Sequence, residues 1–193
     1  LLQRALVLVG ATLAAGAGIM PGSALSRPLP SDHLPLLTAF ADTLIPGGDT
    51  PGAVAAGIPA VVAQMYADWA SDETRDALSG ALTRLDQAAQ RTQGRGFADL
   101  PPELRTAFLA EHDRASLVAV PLPPGAPRGN PFAPAISVVD NGYARLKELV
   151  AVLFYASEAA LTSELDYEHV PGGWTASVPV TRQTRPAYTF GAF

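Results

Sequence analysis

The chain has 193 residues, enough for one domain with a sizeable core or for one domain plus a targeting segment. Charged residues make up 16% of it, against roughly 25% in typical soluble domains, so part of its surface is expected to be covered. The net charge of -5 and 13 scattered basic residues, with no basic stripe, argue against nucleic acid, and the lack of cysteine excludes disulfides, thiolate metal sites, iron–sulfur ligation and covalent haem attachment in this chain.

Leu1-Leu2-Gln3-Arg4 leads into Ala5 to Met20, sixteen residues without a charge, followed by Pro21-Gly22-Ser23-Ala24. A basic start, an apolar stretch and a small-residue exit form the layout of an export signal. The stretch falls short of the roughly 20 apolar residues that span a bilayer comfortably. Residues 1–26 are therefore expected to be a signal-like segment, with a buried N-terminal helix as the other reading. The Ala/Gly-rich, moderately hydrophobic core suits a twin-arginine signal, whose arginine pair would precede Leu1.

Arg27 to Pro30 reads as a linker. A first helix is expected over Ser31 to Ile45, capped by Ser31 and Asp32, with Leu34, Leu37, Phe40, Ala41 and Leu44 inward. Pro46-Gly47-Gly48 turns the chain, and Asp49-Thr50-Pro51 has the chemistry of a new helix start. Gly57-Ile58-Pro59 marks another boundary, after which an apolar helix runs to about Trp69. Ser71-Asp72-Glu73 caps a third helix, with Leu78, Ala81, Leu82, Leu85 and Ala88 inward and Gly94 and Gly96 closing it. A fourth starts at Asp99 to Glu103 and faces the core with Leu104, Ala107 and Phe108. Pro121 to Pro134 holds six prolines and cannot continue a helix. A fifth helix is expected to be the longest, with Ile136, Val139, Tyr143, Leu146, Val150, Leu153 and Ser157 on one face and Leu161 one turn on. From Asp166 the chain turns aperiodic. The fold class expected is all-α: a compact bundle of about five helices in residues 27–165, with a long Pro/Gly-rich loop, the signal-like segment, and an extended tail over 166–193.

No constellation in the sequence spells out a reaction. His33, His112 and His169 lack the one-turn spacing of metal ligands and read as solvated helix residues. Gly47 and Gly52 have the spacing of a phosphate loop, but Ala53-Val54 stand where Lys and Ser/Thr belong and Asp49 would repel phosphate. Ser157 lacks the flanking glycines of a nucleophile elbow, and its hydroxyl is expected to be satisfied within the helix. Glu158 and Glu164 lie six apart, which suits a solvated or partner-facing place better than paired acid–base work. Phe40, Tyr66, Phe108 and Phe154 fit core positions. Trp174, Tyr188, Phe190 and Phe193 stud the tail, where they either face a partner or fold back on the domain.

Two stretches carry a resemblance. Phe40-Ala41-Asp42, Ile45-Pro46, Asp49-Thr50-Pro51-Gly52-Ala53 and Gly57-Ile58-Pro59 resemble the opening signature of the gluconate 2-dehydrogenase subunit 3 family. Tyr155, Ser157, Glu158, Glu164, Leu165, Tyr167 and Pro171-Gly172-Gly173 are similar to its closing motif. The stretch from about Ser71 to Pro134 matches in pattern only.

The resemblance implies a small subunit without catalytic residues and without a cofactor of its own. It implies a periplasmic place, peripheral to the inner membrane through the complex or a retained leader. The implied partner is a large flavoprotein dehydrogenase subunit of the glucose-methanol-choline class, holding FAD, often beside a multihaem cytochrome c subunit, with haem or an iron–sulfur cluster held by partners. The leader would carry the folded partner across the membrane. On this reading Asp42, Asp49, Thr50, Tyr155, Glu158, Glu164 and Tyr167, with Trp174, Phe190 and Phe193 of the tail, serve the partner interface or its support. The alternatives are a free-standing exported binding module or chaperone, and an enzyme in its own right.

Overall fold

A computed structural model describes residues 27–126, 129–130, 133–167, 177 and 179–188. The signal-like segment 1–26 lies outside the described residues, as do Trp174, Phe190 and Phe193. Six α-helices lie among the described residues: α1 (His33–Leu44), α2 (Ile58–Asp68), α3 (Asp72–Gln93), α4 (Pro102–Ser116), α5 (Asn141–Tyr155) and α6 (Glu158–Ser163). They form an all-α bundle with only two-residue strands beside it. The expected helical bundle is what the chain builds.

Local chemistry sets most helix ends. Gly57 takes a left-handed φ of 74° at the start of α2, a conformation that costs glycine nothing, and Pro59 follows at the second helical position. Ser71 caps α3 by accepting the Thr74 N–H at 3.2 Å, and Gly94 closes that helix with φ 68°. The last-turn carbonyls of α2 are taken by a buried arginine: Arg75 donates from Nε to Tyr66 O and from Nη2 to Ala67 O, both at 2.9 Å.

The core lies where α1, α2, α3 and α5 meet. Phe40, Leu37, Ile58, Leu82, Leu85, Tyr143, Leu146, Val150 and Phe154 are fully buried there, joined by Phe97 from a 3-10 turn at Phe97–Asp99. Asp86 fixes that turn by accepting the Phe97 N–H at 2.7 Å. Gly142 lets α5 press on α3, since a Cβ there would lie 2.6 Å from Ala77 O.

Several expectations are corrected. Among the described residues the longest helix is α3, with 22 residues; α5 has 15 and begins at Asn141, because the Asp140 carboxylate accepts the Tyr143 N–H at 2.9 Å and caps it there. Ile136 and Val139 are therefore not on a helix, and stand 72% and 62% exposed. Ser157 does not continue α5 either: its Oγ accepts the Ala160 N–H at 3.2 Å and starts α6. The first helix starts at His33, not Ser31, and Asp32 gives it no side-chain cap. Leu34, Leu104 and Ala107 face solvent, Phe108 is half-buried, and the inward positions are Leu109 on α4 and Ala89 rather than Ala88 on α3.

Beyond α4, Ala119–Val120 pairs antiparallel with Ser137–Val138, and Gly129–Asn130 pairs with Ala133–Pro134 inside the proline-rich loop. Two parts of the tail pair with each other: Ala187–Tyr188 runs parallel to Asp166–Tyr167, and the Asp166 N–H reaches Pro186 O at 2.9 Å.

Candidate functional site

The two motif stretches, far apart in sequence, meet. Thr50 donates from Oγ1 to Glu164 Oε1 at 2.7 Å across 114 residues of chain. Thr50 reaches that carboxylate because the turn from Pro46 to Gly57 is backbone-specified. Gly48 N–H binds Thr50 O at 3.0 Å, Ala53 N–H binds Ile45 O at 2.9 Å, and Ile58 N–H binds Ala53 O at 3.0 Å. Asp49 and Thr50 therefore do not cap a helix, contrary to expectation; the next helix waits for Gly57. Glu164 is placed by α6, whose last turn it closes with its N–H on Ala160 O at 2.9 Å.

The Thr50–Glu164 bond is half-buried with an acidic acceptor, so it is worth about 1.5 kcal/mol. Thr50→Val and Glu164→Met are each expected to cost about that much, and the double variant little more, because both delete one interaction. Chemical denaturation of the four proteins measures it. Full additivity of the two losses would show that the bond couples nothing.

The other candidate interface residues scatter in role. Asp42 on α1 pairs with Arg105 on α4 at 3.1 Å, and Arg105 Nε is buried without a hydrogen-bond partner among the described residues. The pair borders a groove of about 790 Å³ with Leu34, Thr38 and Val54 on its walls. Asp49 and Glu158 face solvent, and Tyr155, at the end of α5, is 43% exposed and edge-on to Phe154. The Tyr167 backbone is in the ladder with Tyr188. A second cleft, about 500 Å³, opens between α2, α3 and α5 beside Met65, Trp69, Leu78, Arg145 and Leu149. Among the described residues no three His, Cys, Asp or Glu side chains gather as a metal would need, and no helix is long and apolar enough to cross a membrane.

Sequence reasoning missed a polar network where α4 crosses α5. Tyr143 donates its hydroxyl to Asp113 Oδ1 at 2.6 Å, and Lys147 also pairs with Asp113. Burial first, and then Asp113, push the Tyr143 phenol far above its ordinary range. Arg84 on α3 grips Asp140 with two bonds of 2.7 Å. Burial alone would raise the Asp140 carboxyl, but Arg84 and the Tyr143 and Gly142 N–H groups outweigh it and hold it low.

His112 sits in this network, not in solvent. Its ring lies 4.8 Å from Tyr143 and 5.9 Å from Phe108, with Nε2 buried and unpartnered among the described residues. His33 is buried as well, with Thr83 Oγ1 3.2 Å from its Nε2. Burial lowers the His112 pKa below 6.5; Asp140 and Asp113 oppose this, and Arg84 adds to it. The unfolded chain therefore takes up this proton first as pH falls, so stability is full above about 6.5 and declines below it. Thermal unfolding between about pH 7 and 5 is expected to show this slope, and His112→Phe is expected to flatten it.

A family model described as gluconate 2-dehydrogenase subunit 3 matches residues 31–172. The chain belongs to that family. The match runs from just before α1 to beyond α6 and covers all but Gly173 of the two motif stretches joined by Thr50 and Glu164. As a gluconate 2-dehydrogenase subunit 3 protein, it is an accessory subunit of a dehydrogenase complex that contains other subunits. No curated protein and no solved structure matches the chain at a significant level.

Proposed function

We propose that this chain is the small, non-catalytic subunit of a periplasmic flavin-dependent sugar or polyol dehydrogenase. In this reading it stabilises a large subunit of the glucose-methanol-choline class, which holds FAD and performs the oxidation. Its signal-like segment, residues 1–26, assists export of that partner. The carrying observation is the family match over residues 31–172.

The geometry supports the reading in a specific way. Four polar residues of the two motif stretches make intramolecular bonds: Thr50 with Glu164, Asp42 with Arg105, and Ser157 at the start of α6. These residues stiffen a scaffold, which is what a supporting subunit needs. Further subunits carrying haem or an iron–sulfur cluster would take the electrons onward.

A dye-linked oxidation assay on a panel including glucose, gluconate, fructose and sorbitol tests this. The chain alone is expected to give no turnover, and the assembled complex to give turnover with at least one substrate. Turnover by the purified lone chain would contradict the proposal.

A further inference from the structure

Arg27 is tied to one place on the bundle. Its N–H reaches Ala67 O at 3.3 Å in the last turn of α2, and its guanidinium lies 3.8 Å from the Asp72 carboxylate at the start of α3. An exposed pair at that distance adds little stability, but with the backbone bond it marks where residues 1–26 join the domain. Tyr66 and Ser71, the sequence neighbours of Ala67 and Asp72, line the cleft of about 500 Å³ between α2, α3 and α5. The segment 1–26 therefore joins the domain beside that cleft.

The cleft is apolar. Met65, Trp69, Leu78 and Leu149 line it, and Arg145 is its one charged lining residue. That side chain is exposed and donates from Nη1 to Thr74 Oγ1 at 3.3 Å, so its charge stays in water. Trp69, just past the end of α2, is 66% exposed, more than any other aromatic side chain whose burial is described. An indole left in water beside an apolar cleft gains from a cover.

Composition and reach together select that cover. Ala5 to Met20 are sixteen residues without a charge, among them Leu6, Leu8, Leu13 and Ile19, so contact would remove apolar surface of both partners from water. Pro21 to Ser26 are six residues, which span up to about 20 Å when extended, while the lining residues adjoin the anchor points of Arg27 directly. A segment on so short a tether meets the cleft at an effective concentration on the order of millimolar. A separate chain must in addition lose its translational and rotational freedom.

We propose that the cleft between α2, α3 and α5 is the seat of the chain's own leader, with the apolar stretch Ala5 to Met20 laid against Met65, Trp69, Leu78 and Leu149. The seat shelters an apolar segment from water while the leader is attached to the folded domain. It goes beyond the subunit reading and does not depend on it.

The chain has no cysteine, so an introduced pair reports on itself alone. Full chains of residues 1–193 made by cell-free synthesis keep the leader attached. Ala70→Cys, in the cleft lining, is combined in turn with Ala11→Cys, Ala14→Cys and Ala17→Cys. The same three leader variants are combined with Ala107→Cys, at an exposed position of α4 outside the lining. In a glutathione redox buffer, at least one leader position is expected to close an intramolecular disulfide with position 70 about tenfold faster than with position 107. Equal rates would overturn the seat. Disulfides formed only between chains would also overturn it, by giving the cleft to a second copy.

Trp69 supplies a reading that needs no cysteine. In Trp174→Phe it is the only tryptophan, and adding Leu8→Asp with Leu13→Asp is expected to shift its emission to the red at unchanged helicity. Emission that does not move would overturn the seat. Emission that moves to the blue only when a flavoprotein subunit is added would give the cleft to that subunit, overturning the seat and supporting the subunit reading.

Discussion

Gly52→Ala is expected to cost about 3 kcal/mol, or roughly 10 °C in Tm, although it adds only one methyl group, because Gly52 is buried in its turn. A Cβ at position 52 would lie 2.6 Å from the Pro46 carbonyl carbon and 2.7 Å from Ile45 O, and closer still to Gly47 N. All three atoms are backbone, so no rotamer change relieves the overlap and the turn itself must open. Opening it removes the Ala53 N–H to Ile45 O bond and draws Thr50 away from Glu164. Gly48→Ala is the control, because the space around that position is empty, and it is expected to stay within about 0.5 kcal/mol of wild type. Equal melting temperatures for the two variants would show that the turn is pliable and that its glycine spacing has no structural role.

Tyr143→Ala is expected to cost about 4 kcal/mol. The side chain is fully buried, packs edge-on to Phe40 at 5.8 Å and to His112 at 4.8 Å, and ends on Asp113. It thus joins α1, α4 and α5 in one residue. Tyr143→Phe keeps the packing and deletes the hydroxyl; Lys147 still pairs with Asp113, so the loss is expected to be about 1.5 kcal/mol. Denaturant midpoints of the two variants separate the contribution of the ring from that of its hydrogen bond. A Phe variant as unstable as the Ala variant would mean that the polar network, not the aromatic packing, holds α4 against α5.

Much of the fold was legible because its signals are local. Gly57, Ser71 and Gly94 act within one turn of themselves, and their residue types announce what they do. The core faces of α1 and α3 follow from helical spacing, apart from the solvent-facing Leu34 and the half-buried Ala88. Periodicity misled at the start of α5, because Ile136 and Val139 happen to continue the three-and-four spacing of Tyr143, Leu146 and Val150. Asp140 and Asn141, a cap and a turn-former in the middle of that pattern, are the signal that outranks it. Pattern reading also failed for His112 and His33: their burial depends on contacts with other helices, and residue type alone argues for solvent.

The candidate site was legible only as two separate stretches. Their resemblance to a family motif brackets the domain, but nothing within either stretch tells that Thr50 would bind Glu164. The exposure of Ile136 and Val139 was hidden by the same error that lengthened α5, since both were read as helical core. Moving the helix start to Asn141 converts two supposed core residues into exposed ones. A single cap thus changes which residues the core holds.

The most direct measurement is a purification through a tag on this chain from the cells that make it, followed by a visible absorption spectrum of the product. The account predicts a large chain co-eluting at a fixed ratio, with flavin absorbance and dye-linked sugar or polyol oxidation. A colourless chain eluting alone would contradict it, and family membership would then describe the fold of this protein and not its partnership.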